Sequence, residues 1–176
     1  MDMKIESLKQ NLKREHQRIT DVVQSISDDR FYDAPPGKWT AVQHLKHVQL
    51  CMEPSIRLLS DKPKFVSKLF GETKEGSRSY ESISLLYQNG LVPGIVSPER
   101  FVPDMISLDD KEKTLIDFMH KVGLLADTLD LYVEEELDQY LIPHPLLGLI
   151  TLREMMHFYT YHAAHHINRI YATILH

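Results

Sequence analysis

The 176-residue chain has one cysteine, Cys51, so no disulfide can form within it. That usage fits a reducing compartment, and stability must then come from packing, with bound metal as the other available staple. No uninterrupted apolar stretch approaches the ~20 residues that would span a bilayer. The opening MDMKIESLKQ also lacks the apolar segment of a secretory leader. These two absences make a cytoplasmic protein without membrane partners the expectation. Positive charge is in short supply as well. Lys and Arg number 20 against 25 Asp and Glu, the formal net charge is -5, and no basic stripe is sustained. Nucleic acid and anionic membrane surfaces are thereby disfavoured as principal partners, and the charge serves solubility. No P-loop, no dinucleotide fingerprint and no placeable Ser-His-Asp arrangement is present.

What is present reads as one globular domain over residues 1–176, with 43% hydrophobic and 26% charged residues. Ile5, Leu8, Leu12, Ile19, Val22, Val23 and Ile26 recur at three- and four-residue steps and predict a first amphipathic helix. FYDAPPGKW ends it, because two prolines and a glycine cannot continue a hydrogen-bonded helix. Thr40 and Gln43 then form a capping box that opens a second helix to about Ser60. Residues 61–106 are broken by prolines and glycines around short apolar clusters such as SISLLY, and predict a long crossover holding one or two short helices. A third helix is expected from Ser107 through Val133, with Glu134, Glu135 and Glu136 as its solvated end rather than a metal site. Thr151 and Glu154 make a second capping box for a last helix running almost to His176. No segment reads as a strand. The fold class is therefore all-α, a four-helix bundle with one long crossover between helices 2 and 3.

Ten histidines are many for this length, and their placement carries the chemistry. At about 100° per residue, His162 and His166 lie about 40° apart on the edge of the apolar stripe of the last helix. Two imidazoles one turn apart on a rigid helix can converge on one divalent ion. His165 lies about 100° away and reads as a surface residue or one that supports the ligands indirectly. A third ligand should come from the second helix, where both His44 and His47 are candidates, and periodicity alone brings His44 slightly nearer the stripe. His16 lies beside the inward stripe of the first helix and reads more simply as a hydrogen-bonded histidine than as a fourth ligand. Cys51 follows His47 by one turn and reads as a buried residue before a thiolate ligand. His144 belongs to a tight turn, and Trp39, Tyr159 and Tyr161 read as packing residues whose polar tips reach a cavity.

Two segments resemble the DinB/YfiT-like superfamily. GKWTAVQHLKHV is similar to its W-[ST]-x-x-x-x-x-x-H signature, in which a histidine follows the tryptophan by eight places, and here Trp39 leads to His47. HPLLGLITLREMMHFYTYHAAHHINRI resembles its last-helix motif, with an HP-x-x-G turn and then H-x-x-x-H. Carried over residue by residue, the resemblance implies a metal site of His47, His162 and His166, with His44 and His165 as bystanders. This chain has Arg169 where many members have glutamine or histidine. That cation, on the same face as His162, either pairs with an acidic residue or anchors an anionic substrate.

Three neutral histidines leave coordination positions open on a divalent ion, zinc or nickel first among the candidates. A water there ionises toward neutral pH and hydrolyses an ester or amide, whereas a thiol there becomes a nucleophilic thiolate. The relatives implied by the resemblance include bacillithiol- and mycothiol-dependent S-transferases and a thiol-dependent isomerase, while many others are named only as metal-dependent hydrolases. The expectation is accordingly a metal-dependent transferase using a low-molecular-weight thiol as cosubstrate on a small-molecule substrate. Hydrolysis is the alternative, and a metal-stapled protein that binds without turnover is the third. The resemblance also implies a homodimer paired through bundle faces.

Overall fold

A computed structural model describes residues 4–174 except positions 62, 93 and 95. The first apolar stripe forms α1, Ile5–Gln24, which buries Leu8, Leu12, Ile19 and Val23 along one face. Its exit is a tight turn over residues 35–38, closed by the Lys38 N–H donating to the Pro35 carbonyl at 2.9 Å. Gly37 takes φ 71 there, so Pro36 and Gly37 occupy the two central places a type II turn assigns to those residue types. The second helix, α2, spans Ala41–Asp61. Its capping box forms as expected, with the Thr40 N–H donating to Gln43 Oε1 at 3.0 Å and the Gln43 N–H to Thr40 Oγ1 at 3.4 Å. The crossover carries α3, Pro63–Phe70, and α4, Tyr80–Gly90.

Three expectations are corrected in the next stretch. The third long helix, α5, Lys111–Thr128, does not continue to Val133: a 3-10 turn at Leu129–Leu131 and extended Tyr132 lead into a separate short helix, α6, Glu134–Gln139. Nor is the acidic run a solvated helix end. Glu134 accepts from the Ile5 N–H at 2.9 Å and from Arg153 at 2.8 Å, while Glu136 accepts from the Val133 N–H and the Tyr140 hydroxyl, each at 3.0 Å. The break lets Glu134 turn back on the bundle, where it caps α1 and neutralises a guanidinium that is only 2% exposed.

The third correction is a β-hairpin, β1 Leu141–His144 and β2 Gly148–Thr151, antiparallel with Ile142 opposite Ile150. Pro143 and Pro145 disguise it, since proline is excluded from the interior of a sheet but tolerated in a two-stranded ribbon. His144 closes its turn: Nδ1 accepts the Leu146 and Leu147 N–H groups at 3.1 and 3.0 Å. The hairpin feeds α7, Leu152–Ile174, through the second expected capping box, with the Thr151 N–H donating to Glu154 Oε2 at 2.9 Å and the Glu154 N–H to Thr151 Oγ1 at 3.2 Å. His176 lies outside the described residues.

The bundle is α1, α5, α2 and α7 in cyclic order, and α4 packs on the outside of α7. One hydrophobic cluster runs through all four, with Leu45, Met52, Phe118, Leu125 and Ile170 fully buried. At ~1.5–3 kcal/mol per large apolar side chain, this packing outweighs exposed ion pairs such as Lys9–Asp130, worth ~0–1 kcal/mol. No described helix is long and apolar enough to cross a membrane. Because α7 is covered by α1, α2, α4 and α6, its first turns are buried all round, polar residues included. Glu154 meets that demand by accepting from Arg78 Nε at 2.7 Å and Nη2 at 3.0 Å as well as capping its helix. Glu154→Ala is therefore expected to cost roughly 2–4 kcal/mol at neutral pH, read as a lower urea midpoint, whereas Glu81→Ala on the exposed start of α4 should leave the midpoint unchanged.

Candidate metal centre

The α7 register delivers two buried imidazoles to one place. His162 is 1% exposed and His166 6%, and their Nε2 atoms stand 3.0 Å apart. From the facing helix α2, His47 joins them, and the three ring centroids lie 4.5 to 5.2 Å from one another. Thus the three residues singled out by the motifs are brought together. Trp39, the motif tryptophan, packs 4.8 Å from the His47 ring and 6.4 Å from that of His166.

The crossover orients the α2 histidine. His47 Nδ1 lies 2.7 Å from the Phe101 carbonyl, which can only accept, so Nδ1 carries the proton and Nε2 keeps a free lone pair facing the cluster. His44, a bystander by the motif reading, is an active partner: its Nδ1 lies 2.9 Å from His166 Nδ1, and both rings are buried. When His166 offers Nε2 to a metal, its Nδ1–H donates to His44, the support that ligating histidines usually take from a carbonyl or carboxylate. His44→Ala is expected to weaken metal binding about 10- to 100-fold in a chelator competition while leaving stoichiometry unchanged, whereas equal affinity would make His44 a mere packing residue.

Cys51 adds a donor that sequence reasoning set aside. Its Sγ is 3.6 Å from His47 Nε2, and ligand atoms of His47, Cys51 and His162 all lie within 4.8 Å of one another. His16 does not join this group. It is fully buried, donates from Nδ1 to the Leu12 carbonyl at 2.7 Å, packs its ring 5.7 Å from Phe118, and leaves Nε2 unpartnered among the described residues.

Electrostatically the cluster favours neutral imidazoles. Burial, then mutual repulsion led by His47 for His162 and by His162 for His166, holds those two well below the ordinary 6.5. Burial also lowers His47, against the opposing bond to Phe101, and pushes the Cys51 thiol up to about 12. Neutral imidazole is the form that ligates metal. Moreover, His162 Nδ1 is buried without a partner among the described residues, an orphan that a structure tolerates where the ring has another task. Lone pairs from two facing helices and a buried, neutral surrounding together fit a divalent ion.

These groups line a cavity of about 460 Å³. Tyr87, Leu91, Leu146, Met155 and Phe158 contribute aromatic and aliphatic walls, and the exposed Val96 and Arg100 mark its mouth. His165, half-buried, and His144 also line it. Arg169 does not: it is exposed on α7, and among the described residues no carboxylate stands within ion-pair distance of it. The cation on the cavity is Arg100, held 4.7 Å over the Phe101 ring on the crossover, which nothing in the local sequence singles out. Tyr159 reaches the cavity, as expected, with its hydroxyl donating to the Cys51 carbonyl at 3.1 Å and bonded to Ser55 at 2.7 Å.

The sequence profile of the DinB superfamily matches residues 11–170. Among solved structures, the chain is similar to YfiT from Bacillus subtilis, described as "a probable metal-dependent hydrolase with an unusual four-helix bundle topology". The TM-score is 0.60 at 17% identity, over 96% of this chain and 85% of that one. That likeness shows the fold. A search of curated protein sequences finds no significant match.

Proposed function

The chain belongs to the DinB superfamily, and from that premise we propose that it is a metal-dependent transferase that joins a small thiol to an organic electrophile, with His47, His162 and His166 as the metal ligands. The observation that carries the reading is the convergence of neutral imidazoles on a largely apolar cavity of about 460 Å³. That volume suffices for a small thiol beside a compact acceptor. A divalent ion, zinc or nickel, supplies Lewis acidity there, lowering the pKa of a thiol or a water bound at its open position.

The protein's own residues set the geometry. The Phe101 carbonyl holds the tautomer of His47, and His44 accepts from His166 Nδ1–H when His166 presents Nε2. His162 is fixed by burial in α7. Tyr87 and Phe158, with ring centroids 5.8 and 4.9 Å from that of His162, give an acceptor apolar surfaces and keep water from the reacting atoms. Arg100 at the mouth offers a fork of donors to a carboxylate on either reactant.

Hydrolysis is the second reading, favoured by the likeness to YfiT and its description. Metal-loaded protein incubated with an electrophilic acceptor and a panel of cellular thiols separates the two. Product should form only when a thiol is present. Metal-dependent cleavage of an ester in thiol-free buffer would reverse the order.

A further inference from the structure

We propose that Cys51 is a fourth protein ligand, a thiolate that closes the resting metal site on its cavity side. This rests on the metal-site reading above and deepens it. The first support is spacing. A nitrogen ~2.05 Å and a sulfur ~2.3 Å from a tetrahedral ion lie about 3.5 Å apart. Cys51 Sγ and His47 Nε2 are separated by 3.6 Å.

The second support is the symmetry of supply. His162 and His166 are one turn apart on α7, and His47 and Cys51 are one turn apart on α2, so each of two facing helices offers an i, i+4 pair to the space between them. A ring nitrogen of His162 falls within 4.8 Å of both α2 donors, and its Nε2 stands 3.0 Å from His166 Nε2, so His162 links the α2 donors to His166. The third support is independent of the cysteine. His162 is almost wholly buried and carries a ring nitrogen with no partner among the described residues, as expected of a side chain whose role is completed by a ligand.

The cysteine is also held in place. Tyr159 bonds its carbonyl at 3.1 Å, and Ser55 steadies Tyr159 from one turn further along α2. Coordination breaks the S–H bond: the sulfur keeps the electron pair and bonds the ion, and the proton leaves to solvent. The sulfur lies on the cavity, so a small thiol entering there would exchange with it: the entering sulfur would bond the ion, its proton would pass to the released Cys51 sulfur, and the position the transferase reading needs would open. Until that exchange the resting ion is shielded from water.

Cobalt(II) tests this on the full-length protein. Wild type loaded with one equivalent should show sulfur-to-cobalt charge-transfer absorption in the near ultraviolet, and Cys51→Ser should lose that band. In zinc competition with a chelator, Cys51→Ser should bind more than ~100-fold more weakly, beyond the range that indirect partners cost. Because a serine variant can be criticised for misfolding, the wild type provides its own control: X-ray absorption at the edge of bound zinc should show one sulfur neighbour at ~2.3 Å. Histidine-dependent cobalt binding with no sulfur band, or bound zinc with only nitrogen and oxygen neighbours, overturns the proposal while leaving the three-histidine site intact. Cobalt binding that survives His162→Ala together with His166→Ala overturns the underlying metal reading and this proposal with it.

Discussion

His162→Ala and His166→Ala should each strip the purified protein of metal, while His165→Ala keeps about one equivalent per chain. The three positions lie within five residues of α7, so the contrast isolates direction from composition. His162 and His166 face each other with Nε2 atoms 3.0 Å apart in the buried cluster, whereas His165 is half-buried and turned to the cavity, with its ring near Tyr87. Losing one imidazole from a set of three removes a direct bond, and the affinity should drop by more than the ~10- to 100-fold that indirect supports are worth. Elemental analysis after dialysis and a chelator competition measure it. Full retention by the double variant would place the metal elsewhere.

Acid should unfold the metal-free protein before pH 4 is reached. His16, His44 and His144 are all held from 6.5 to about 4, in each case chiefly by burial, with His47 and Arg169 adding repulsion at His44 and the Leu12 bond opposing at His16. Above pH 6.5 these imidazoles are neutral whether the chain is folded or not. Between 6.5 and about 4 the unfolded chain takes up protons that the folded one refuses, so stability falls with pH across that window and levels off below it. Each group contributes on the order of 3 kcal/mol, and three together approach the ~5–15 kcal/mol that holds a typical domain folded. His162 and His166 act in the same direction. Circular dichroism on an acid titration should show a cooperative transition between pH 6 and pH 4. His16→Phe, which keeps a ring against Phe118, should move the midpoint to lower pH. A native spectrum held down to pH 4 would contradict the burial argument.

Both predictions have one cause. The burial that keeps the imidazoles neutral, and so ready to ligate, is the burial that makes each of them an acid liability. A chain with the same histidines on its surface would show neither effect.

Much of this was legible in the amino-acid sequence because it is local. Both capping boxes, the apolar stripes, the proline-glycine turn and the i, i+4 pair His162 and His166 depend on spacings of a few residues, and backbone geometry converts such spacings into directions without help from the rest of the chain. The family motifs chose His47 over His44 on the second helix.

Tertiary structure decided the rest, and in each instance the partner lies far along the chain. Helix α5 stops at Thr128 because Glu134 is needed at Ile5 and Arg153, a requirement invisible in the periodic run that precedes it. The prolines of the hairpin look like breakers until two short strands pair with each other. His44 and His47 were close rivals by periodicity, and the structure gives both work: His47 faces the cluster, and His44 holds His166, 122 positions away. Arg100 rather than Arg169 reaches the cavity because the long crossover folds back over α2. Local spacing determines which way a side chain points from its own helix. What it meets there depends on how helices from opposite ends of the chain pack, and that is settled only when the whole core closes.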